Sequence, residues 1–315
     1  MIAVTGAAGF VGAALCGELY SRGFAVRSVV RSLHSAEPAS GVEQIAVSNL
    51  DAATDWSSAL GGVDCVIHCA ARAHVMHETE ADALAAYRSE NVDGSQRLAE
   101  QAAAAGVRRL VYLSSIKVNG ESTDGLPRPF GARNDEVNPE DPYGVSKWEA
   151  EQALWAVAAS TCLEVVVVRP PLVYGPSVKG NLARLLKLVR LGVPLPFGAV
   201  QNQRSLIGLD NLVDLLIRCV DHPAAAGQTL LVSDGEDIST PDLLRYMANA
   251  LGRSARLLPM SVALLRLVGR ALGKQAEIDR LVGSLKIDSR HTRELLDWNP
   301  PVSVAEGIRR MVQGS

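Results

Sequence analysis

The stretch VTGAAGFVG at residues 4–12 limits the fold of this chain more than any other feature. It follows an apolar run typical of a β-strand and opens a segment typical of a helix. Gly6, Gly9 and Gly12 are spaced G-x-x-G-x-x-G. Glycines at such a turn let a pyrophosphate approach the backbone, where the helix N-terminus favours anions. A glycine-rich turn without a ligand is the alternative, but the order strand, loop and helix predicts a dinucleotide site.

Short β-rich runs alternate with helical patterns over the first 170 residues. The predicted strands are 2–6, 25–30, 43–47, 65–70, 109–115 and 164–170, with helices near 10–22, 54–60, 82–105 and 143–159. Because the apolar runs are continuous, we expect parallel strands buried on both faces. The predicted fold class is α/β: a Rossmann-type, doubly wound parallel sheet with a smaller, mostly helical C-terminal substrate domain.

The domain boundaries follow from a change of pattern after residue 169, where Pro and Gly become frequent and helices dominate. One further strand-like run, at 228–235, is expected to return to the sheet. We therefore predict a dinucleotide-binding domain of residues 1–169 and 206–234. Residues 170–205 and 235–315 form the predicted substrate domain.

The composition of the chain limits the kinds of ligand and partner that it is expected to bind. The net charge of −3 gives no reason to expect nucleic acid, and the five cysteines form no C-x-x-C pair, so free thiols are favoured and no metal is expected. No secretory leader or membrane-spanning run is recognised, which predicts a cytoplasmic protein. Residues 261–274 are amphipathic and basic; a packed surface helix is the favoured interpretation, and a helix lying on a membrane is the alternative.

A candidate catalytic pair lies in DPYGVSKWEAE at residues 141–151. Tyr143 and Lys147 are four residues apart and so share one face of a helix. We expect the ammonium group to lower the pKa of the phenol, which then exchanges protons near neutral pH. A hydroxyl should follow the fifth strand, and Ser114 and Ser115 both stand there. Their side chains point to opposite faces, so only one can serve.

Arg31 and Ser32 stand at the end of the second predicted strand, about 20 residues past the glycine loop, where a carboxylate usually binds the ribose of NAD. A guanidinium and a hydroxyl would instead bind the 2′-phosphate of NADP(H). The sequence thus favours NADP(H) modestly over NAD(H). An arginine that stacks on adenine or points to solvent is the alternative.

Taken together, TGAAGFVG, HCAARAH, ENVDGS, LSSIKVNG, PYGVSK and RPPLVYGP resemble the nucleotide-sugar epimerase/dehydratase family of extended short-chain dehydrogenases. The resemblance covers nearly the whole chain. It implies a Rossmann fold, a nicotinamide dinucleotide and a UDP- or dTDP-sugar held by the C-terminal domain. It also implies a homodimer formed through two helices, here 82–105 and 143–159.

The resemblance selects Ser115 as the catalytic serine, beside Tyr143 and Lys147, and places Asn91 where it braces the lysine. A polar residue on a helix surface is the alternative for Asn91. The implied cofactor-binding residues are Gly6, Gly9, Phe10, Val11, Gly12, Arg31, Ser32, Asn49, Leu50, Cys69, Ala70, Ala71, Asn91, Tyr143, Lys147 and Pro170. The implied substrate-binding residues are His74, Ser115, Lys117, Asn181, Pro196, Phe197, Arg204 and Arg280.

The activity that the resemblance implies is hydride transfer at C4 of a UDP-activated sugar, in a 4-epimerase or a 4-ketoreductase of surface-polysaccharide synthesis. A dehydratase would carry an acid/base pair after the serine, and SSIKVNG has no carboxylate. Arg31 tilts the choice toward the ketoreductase, because net reduction suits NADPH. An extended reductase of a non-sugar carbonyl compound and a non-catalytic dinucleotide sensor are the alternatives.

Overall fold

The computed structural model describes residues 1–33, 42–47, 49–73, 82–131 and 137–314. Its central sheet consists of β1 (Ile2–Thr5), β2 (Val26–Val30), β3 (Glu43–Ala46), β4 (Cys65–His68), β5 (Arg109–Leu113), β6 (Glu164–Arg169) and β10 (Thr229–Leu231). The order is β10-β6-β5-β4-β1-β2-β3, and every neighbouring pair is parallel. This order confirms the predicted fold class. The chain reverses direction across the sheet between the neighbours β1 and β4, and such sheets bind dinucleotides at the carboxyl ends of the strands at this switch point.

The sheet is covered on both faces, as continuous apolar strands require. One hydrophobic core packs the sheet against helices including α1 (Phe10–Ser21) and α7 (Leu209–Asp221). A second core on the other face includes α4 (Gly94–Ala104) and α5 (Pro142–Ser160). The carboxyl ends of the strands therefore form one open edge, at which the residues of the site gather.

The remaining elements are short strands and helices. The short strands form two pairs: parallel β7 (Val173–Tyr174) with β9 (Ile207–Gly208), and antiparallel β8 (Arg204–Ser205) with β11 (Asp237–Ile238). The other helices are α2 (Ser57–Leu60), α3 (Ala83–Tyr87), α6 (Asn181–Leu191), α8 (Thr240–Ala250), α9 (Val262–Ala271), α10 (Gln275–Val282), α11 (Arg290–Leu295) and α12 (Val304–Gln313).

The predicted helix at 82–105 is interrupted. Between α3 and α4 the residues Arg88–Asp93 form a π-helix, which adds a residue to the turn and changes where the following side chains point. Asn91 lies inside this segment and is 1% exposed. A π-turn of this kind is frequent at functional sites, and here it directs an amide into the protein.

The C-terminal helices have a core of their own, built around α6, α8 and α12. We retain the two-domain division as a proposal on this ground. Across the described ranges, no helix is both long enough and apolar enough to span a bilayer.

Candidate active site

The glycine loop has the geometry that its sequence predicts. Gly6 has φ +66°, and a Cβ there would lie 2.7 Å from the backbone nitrogen of Ala70. A Cβ on Gly12 would lie 2.2 Å from the carbonyl oxygen of Gly6. No side chain caps α1 and no acidic residue lies in its first turn, so the N–H groups at its start can bind an anion. The loop therefore fits the pyrophosphate of a dinucleotide.

The loop after β4 runs beside the glycine loop, which is where the resemblance places the ribose and phosphates. The backbone N–H of Ala70 donates to Oγ1 of Thr5 at 3.2 Å, and Cys69 and Ala71 flank it, both partly exposed. Of the other implied cofactor-binding residues, Asn49 is exposed and Leu50 is buried against Gly94, where a Cβ would lie 2.8 Å from Cγ of Leu50.

Arg31 follows β2 and reaches toward an acidic residue that the sequence analysis missed. Its side chain is 74% exposed, and its Nη2 lies 3.6 Å from Oε2 of Glu90. Glu90 also pairs with Arg72, whose Nη1 lies 3.1 Å from Oε1. Ser32 is exposed beside Arg31. The only signal for Glu90 was its place directly before Asn91, which did not indicate a contact with the second strand.

Ser115, Tyr143 and Lys147 come together at the carboxyl end of β5. The carboxylate of Asp141 accepts from the N–H of Gly144 at 2.7 Å and caps α5, which puts Tyr143 in the first turn. The hydroxyl of Ser115 lies close enough to that of Tyr143 to lower the pKa of the phenol. Nζ of Lys147 is 5.9 Å from the centre of the Tyr143 ring. The three predicted catalytic residues thus lie close together, with the lysine one helical turn after the tyrosine.

The predicted lowering of the pKa of Tyr143 is not seen. Burial raises its pKa above the ordinary value, and the charges of Asp141 and Tyr87 raise it further. The nearby hydroxyl of Ser115 lowers the pKa, but by less. The Lys147 ammonium instead donates to the carbonyl of Leu113 at 2.9 Å. It also lies 3.2 Å from the Tyr112 hydroxyl, and burial lowers the pKa of the lysine to about 8.

Asn91 contacts the loop after β4 and the helix of the tyrosine, and no hydrogen bond joins its amide to Lys147. Its Oδ1 accepts from the N–H of Arg72 at 2.8 Å, and its Nδ2 donates to the carbonyl of Arg72 at 3.1 Å. The same Nδ2 donates to Oγ of Ser146 at 2.9 Å. The role of Asn91 as a brace for the lysine stays a prediction; its amide contacts α5 at Ser146, the residue before Lys147.

Ser114 points away from Ser115 into a buried polar network, as alternation along a strand requires. Its hydroxyl donates to Glu151 of α5. Glu151 forms an ion pair with Arg169 at the end of β6; Nε to Oε1 is 2.9 Å, and the side chains are 0% and 1% exposed. Arg169 also donates to Oδ1 of Asn119 at 3.1 Å. The network fastens α5 to two strands beneath the site.

A second buried chain of polar groups supports Lys147 from the other side. The Tyr112 hydroxyl bonds Ser95, and Oγ of Ser95 lies 3.0 Å from Nε2 of His68. Nδ1 of His68 lies 2.6 Å from Oγ1 of Thr5, next to the glycine loop. Burial lowers the pKa of His68 to about 3, so the ring is neutral at pH 7. The sequence analysis noted HCAARAH only as a family motif.

Two predicted substrate-binding residues, Arg204 and Arg280, lie near each other, and both belong to the predicted substrate domain. Arg204 donates from Nη1 to the carbonyl of Gly283 at 3.0 Å, and burial and the nearby Arg280 lower its pKa. Nε of Arg280 lies 3.4 Å from Oε2 of Glu121. Nζ of Lys117 lies 2.7 Å from Oε1 of the same carboxylate and also contacts Asp141. Through Lys117, Glu121 thus links Arg280 to Asp141, the cap of α5.

The other predicted substrate residues are placed less uniformly. Asn181 begins α6 and is partly exposed. Phe197 is 6% exposed and packs in the C-terminal core, while Pro196 beside it is partly exposed. The side chain of Phe197 is thus turned into the core, while Pro196 remains accessible. Pro170 is buried directly after β6, and His74 lies outside the described residues.

A solved structure shares the whole architecture. MoeE5 in complex with UDP-glucuronic acid and NAD superposes with a TM-score of 0.78 at 25% identity, covering 99% of this chain and 98% of that one. The parallel sheet, the open glycine loop and the tyrosine–lysine helix define an extended short-chain dehydrogenase/reductase.

The comparisons also show the family. Residues 2–233 match the NAD dependent epimerase/dehydratase family. The chain is 45% identical to the UDP-glucose 4-epimerase of Vibrio cholerae over 99% of its own length and 94% of that protein. It is 27% identical to the N-acetyl-alpha-D-glucosaminyl-diphospho-ditrans,octacis-undecaprenol 4-epimerase of Escherichia coli O157:H7, covering 80% of this chain and 72% of that one. The chain belongs to the NAD dependent epimerase/dehydratase family, as its motifs predicted.

Proposed function

We propose that this protein is a 4-epimerase of a UDP-activated sugar that acts by hydride transfer at C4. The observation that carries the proposal is that Ser115, Tyr143 and Lys147 lie close together at the open edge of a sheet whose glycine loop fits a dinucleotide. The identity of 45% to a UDP-glucose 4-epimerase supports the same reaction. We further propose that its sugar substrate serves surface-polysaccharide synthesis. The lipid-linked sugar in the name of the Escherichia coli relative supports this.

The chain supplies proton transfer and orientation. Tyr143 takes the proton of the C4 hydroxyl and returns it, while Ser115 donates a hydrogen bond to the same oxygen. Because burial raises the pKa of Tyr143, its phenolate needs positive charge nearby, and the Lys147 ammonium 5.9 Å from the ring supplies part of it. A dinucleotide would be held by the loop of Gly6, Gly9 and Gly12 at the start of α1, and it would supply a reversible hydride acceptor for C4.

The diphosphate of the substrate is proposed to bind Arg204 and Arg280. A guanidinium pair suits two phosphate groups, and the two arginines lie close enough for the charge of one to lower the pKa of the other. Glu121 holds Arg280 at 3.4 Å and Lys117 at 2.7 Å. A diphosphate would replace Glu121 as the partner of these cations, which orders the substrate against the first turn of α5.

NAD is the cofactor that the structure supports better. The ion pair of Arg31 with Glu90 sets a carboxylate beside the position predicted for a 2′-phosphate, and two like charges repel there. Structural neighbours are described as binding NAD. The NADP(H) preference predicted from Arg31 therefore has no support beyond the residue itself, and the 4-ketoreductase that it favoured is the second candidate.

The test is to incubate the purified protein with UDP-galactose and UDP-N-acetylgalactosamine, each deuterated at C4, and to follow both nucleotide sugars by NMR. An epimerase interconverts the C4 epimers, keeps the deuterium at C4 and consumes no reduced cofactor. A ketoreductase instead leaves these sugars unchanged and oxidises NADPH in proportion to a 4-keto sugar.

The matched variants are Tyr143→Phe and Tyr20→Phe. The first removes the proposed proton carrier and should abolish turnover with cofactor binding intact, while the second alters an exposed phenol on α1 and should leave turnover unchanged. Turnover by Tyr143→Phe would show that the proton is carried by another group, and loss of deuterium from C4 would exclude return of the same hydride.

A further inference from the structure

Exposed apolar side chains are concentrated on α9 and the segment before it. Within the described ranges thirteen large hydrophobic side chains are exposed, and five of them lie in the fifteen residues 258–272. They are Leu258 (54%), Leu264 (44%), Leu267 (62%), Val268 (41%) and Leu272 (67%). A patch this dense, which none of the described residues covers, indicates a docking site.

The exposure follows from how α9 is anchored. Leu265 is 3% exposed and Gly269 is buried, and these two residues face the protein. A Cβ on Gly269 would lie 2.8 Å from Cγ1 of Ile278, so α10 approaches the backbone of α9 closely. Residues 264, 267 and 268 lie together on a second side of the helix, and the exposed Leu272 follows at its C-cap, four residues after Val268, to complete an apolar stripe. The predicted surface helix is therefore packed through one face and leaves a second apolar face open.

The same segment is uniformly basic. Residues 253–274 contain five cations and no acidic residue. Arg256, Arg270 and Lys274 are exposed, and among the described residues none of the three has an ion-pair partner. Arg266 is the exception, with its Nε 3.0 Å from Oδ1 of Asp279. The positive charge beside the stripe is therefore largely uncompensated.

We propose that this α9 face, defined as Leu258, Leu264, Leu267, Val268 and Leu272 with Arg256, Arg270 and Lys274, docks on the surface of a bilayer containing anionic lipid. The stripe enters the boundary of headgroups and acyl chains, and the basic side chains bind lipid phosphates while their stems stay in the interface. Uncompensated cations next to an apolar stripe are what an anionic membrane surface attracts.

Charge decides against a second copy of this chain as the occupant. A two-fold interface places the same patch on both subunits. Two copies joined through this face would bring their unpaired cations together, with no acidic residue between 253 and 274 to neutralise them. An anionic bilayer offers the opposite charge and an apolar layer beneath it.

The test is sedimentation of the full-length protein with vesicles of phosphatidylcholine alone or with about one third phosphatidylglycerol. We expect partition to the anionic vesicles that falls as salt rises, because surface charge is screened. Arg270→Glu/Lys274→Glu should weaken partition at least about tenfold, since two cations near the surface are reversed. Leu267→Gln/Leu272→Gln should weaken it as well, by removing the stripe.

The control variants make the same changes of charge and polarity at positions outside the α9 face. Arg290→Glu/Arg309→Glu makes the same change of charge at exposed positions, and Tyr20→Gln removes an exposed apolar side chain from α1; both should bind like the wild type. Thermal melting checks that each variant folds. Equal binding of the α9 variants and the controls overturns the proposal. So does the absence of partition, or a concentration-dependent dimer that Leu267→Gln/Leu272→Gln abolishes.

Discussion

Removing the carboxylate of Glu151 should destabilise the protein far more than removing an exposed carboxylate from the same helix. Glu151 is 0% exposed and lies against Arg169, which is 1% exposed. In Glu151→Ala the guanidinium stays buried with a neutral hydrogen-bond partner, Asn119 at 3.1 Å, and the ring of Trp148 with its centre 5.7 Å away. Breaking a buried pair from one side costs about 3–5 kcal/mol, because the other charge is left uncompensated.

The assay is thermal unfolding with Glu149→Ala as the matched control. Glu149 lies two residues earlier on α5 and pairs with Arg88 at 2.6 Å, but both side chains are exposed to solvent. Taking about 2 °C per kcal/mol for a chain of this size, Glu151→Ala should lower Tm by about 6–10 °C. Glu149→Ala should melt close to the wild type, since exposed pairs contribute little.

The double variant Glu151→Leu/Arg169→Met tests the cause. It removes both charges, so it should melt above Glu151→Ala although it changes one residue more. Activity gives a second readout in Glu151→Ala, because Glu151 raises the pKa of Lys147. Without it that pKa falls below about 8, and the basic limb of the pH–rate profile should move to lower pH. If Glu151→Ala melts like Glu149→Ala, then removing Glu151 does not leave an uncompensated buried charge on Arg169, and the reasoning is refuted.

Three further outcomes follow from the structure. The pKa of His68 is lowered to about 3, so the unfolded chain binds the extra proton, and the free energy of unfolding should fall as pH drops from about 6.5 toward 3. His68→Asn should make that pH dependence shallower by up to one proton in denaturant titrations, and an unchanged slope would contradict the buried neutral ring. Glu90→Gln should free Arg31 and raise the affinity for NADP relative to NAD, measured by titration; an unchanged ratio would exclude this ion pair as a determinant of cofactor choice. Gly6→Ala should abolish dinucleotide binding, because the new Cβ meets a backbone nitrogen at 2.7 Å, whereas Gly23→Ala, with φ +82° and nothing within 4 Å, imposes backbone strain alone and should keep binding.

The parallel sheet could be predicted from sequence because its signals are local. Each strand is a continuous apolar run, and the predicted strand at 109–115 is β5, Arg109–Leu113. The glycine loop was predictable for the same reason, since its spacing lies within nine residues. The break of the helix at 82–105 was not, because a π-turn over Arg88–Asp93 leaves the sequence periodicity nearly intact.

The electrostatics of the site were harder to predict, because they depend on partners distant in sequence. The spacing places Lys147 one turn from Tyr143, but it does not show that the Lys147 ammonium donates its hydrogen bond to the carbonyl of Leu113. Burial then decides the pKa of the phenol, and burial is a property of the whole fold. Glu90 and Arg31 are likewise joined only because the ends of β2 and the π-turn lie at one edge of the sheet.

The contacts of α5 separate the reacting groups from the residues that select the substrate. Its first turn is capped by Asp141, its second turn is held by Asn91 through Ser146, and Glu151 at its middle fastens it to Arg169. None of these three contacts involves the C-terminal helices, and α10 reaches the cap of α5 indirectly, through Arg280, Glu121 and Lys117. Arg204 donates to the carbonyl of Gly283 and stands outside that chain of ion pairs. Changes at Arg204 can therefore alter which diphosphate binds and leave the chemistry of the tyrosine unchanged, which would appear as a change in KM without a change in the pH–rate profile.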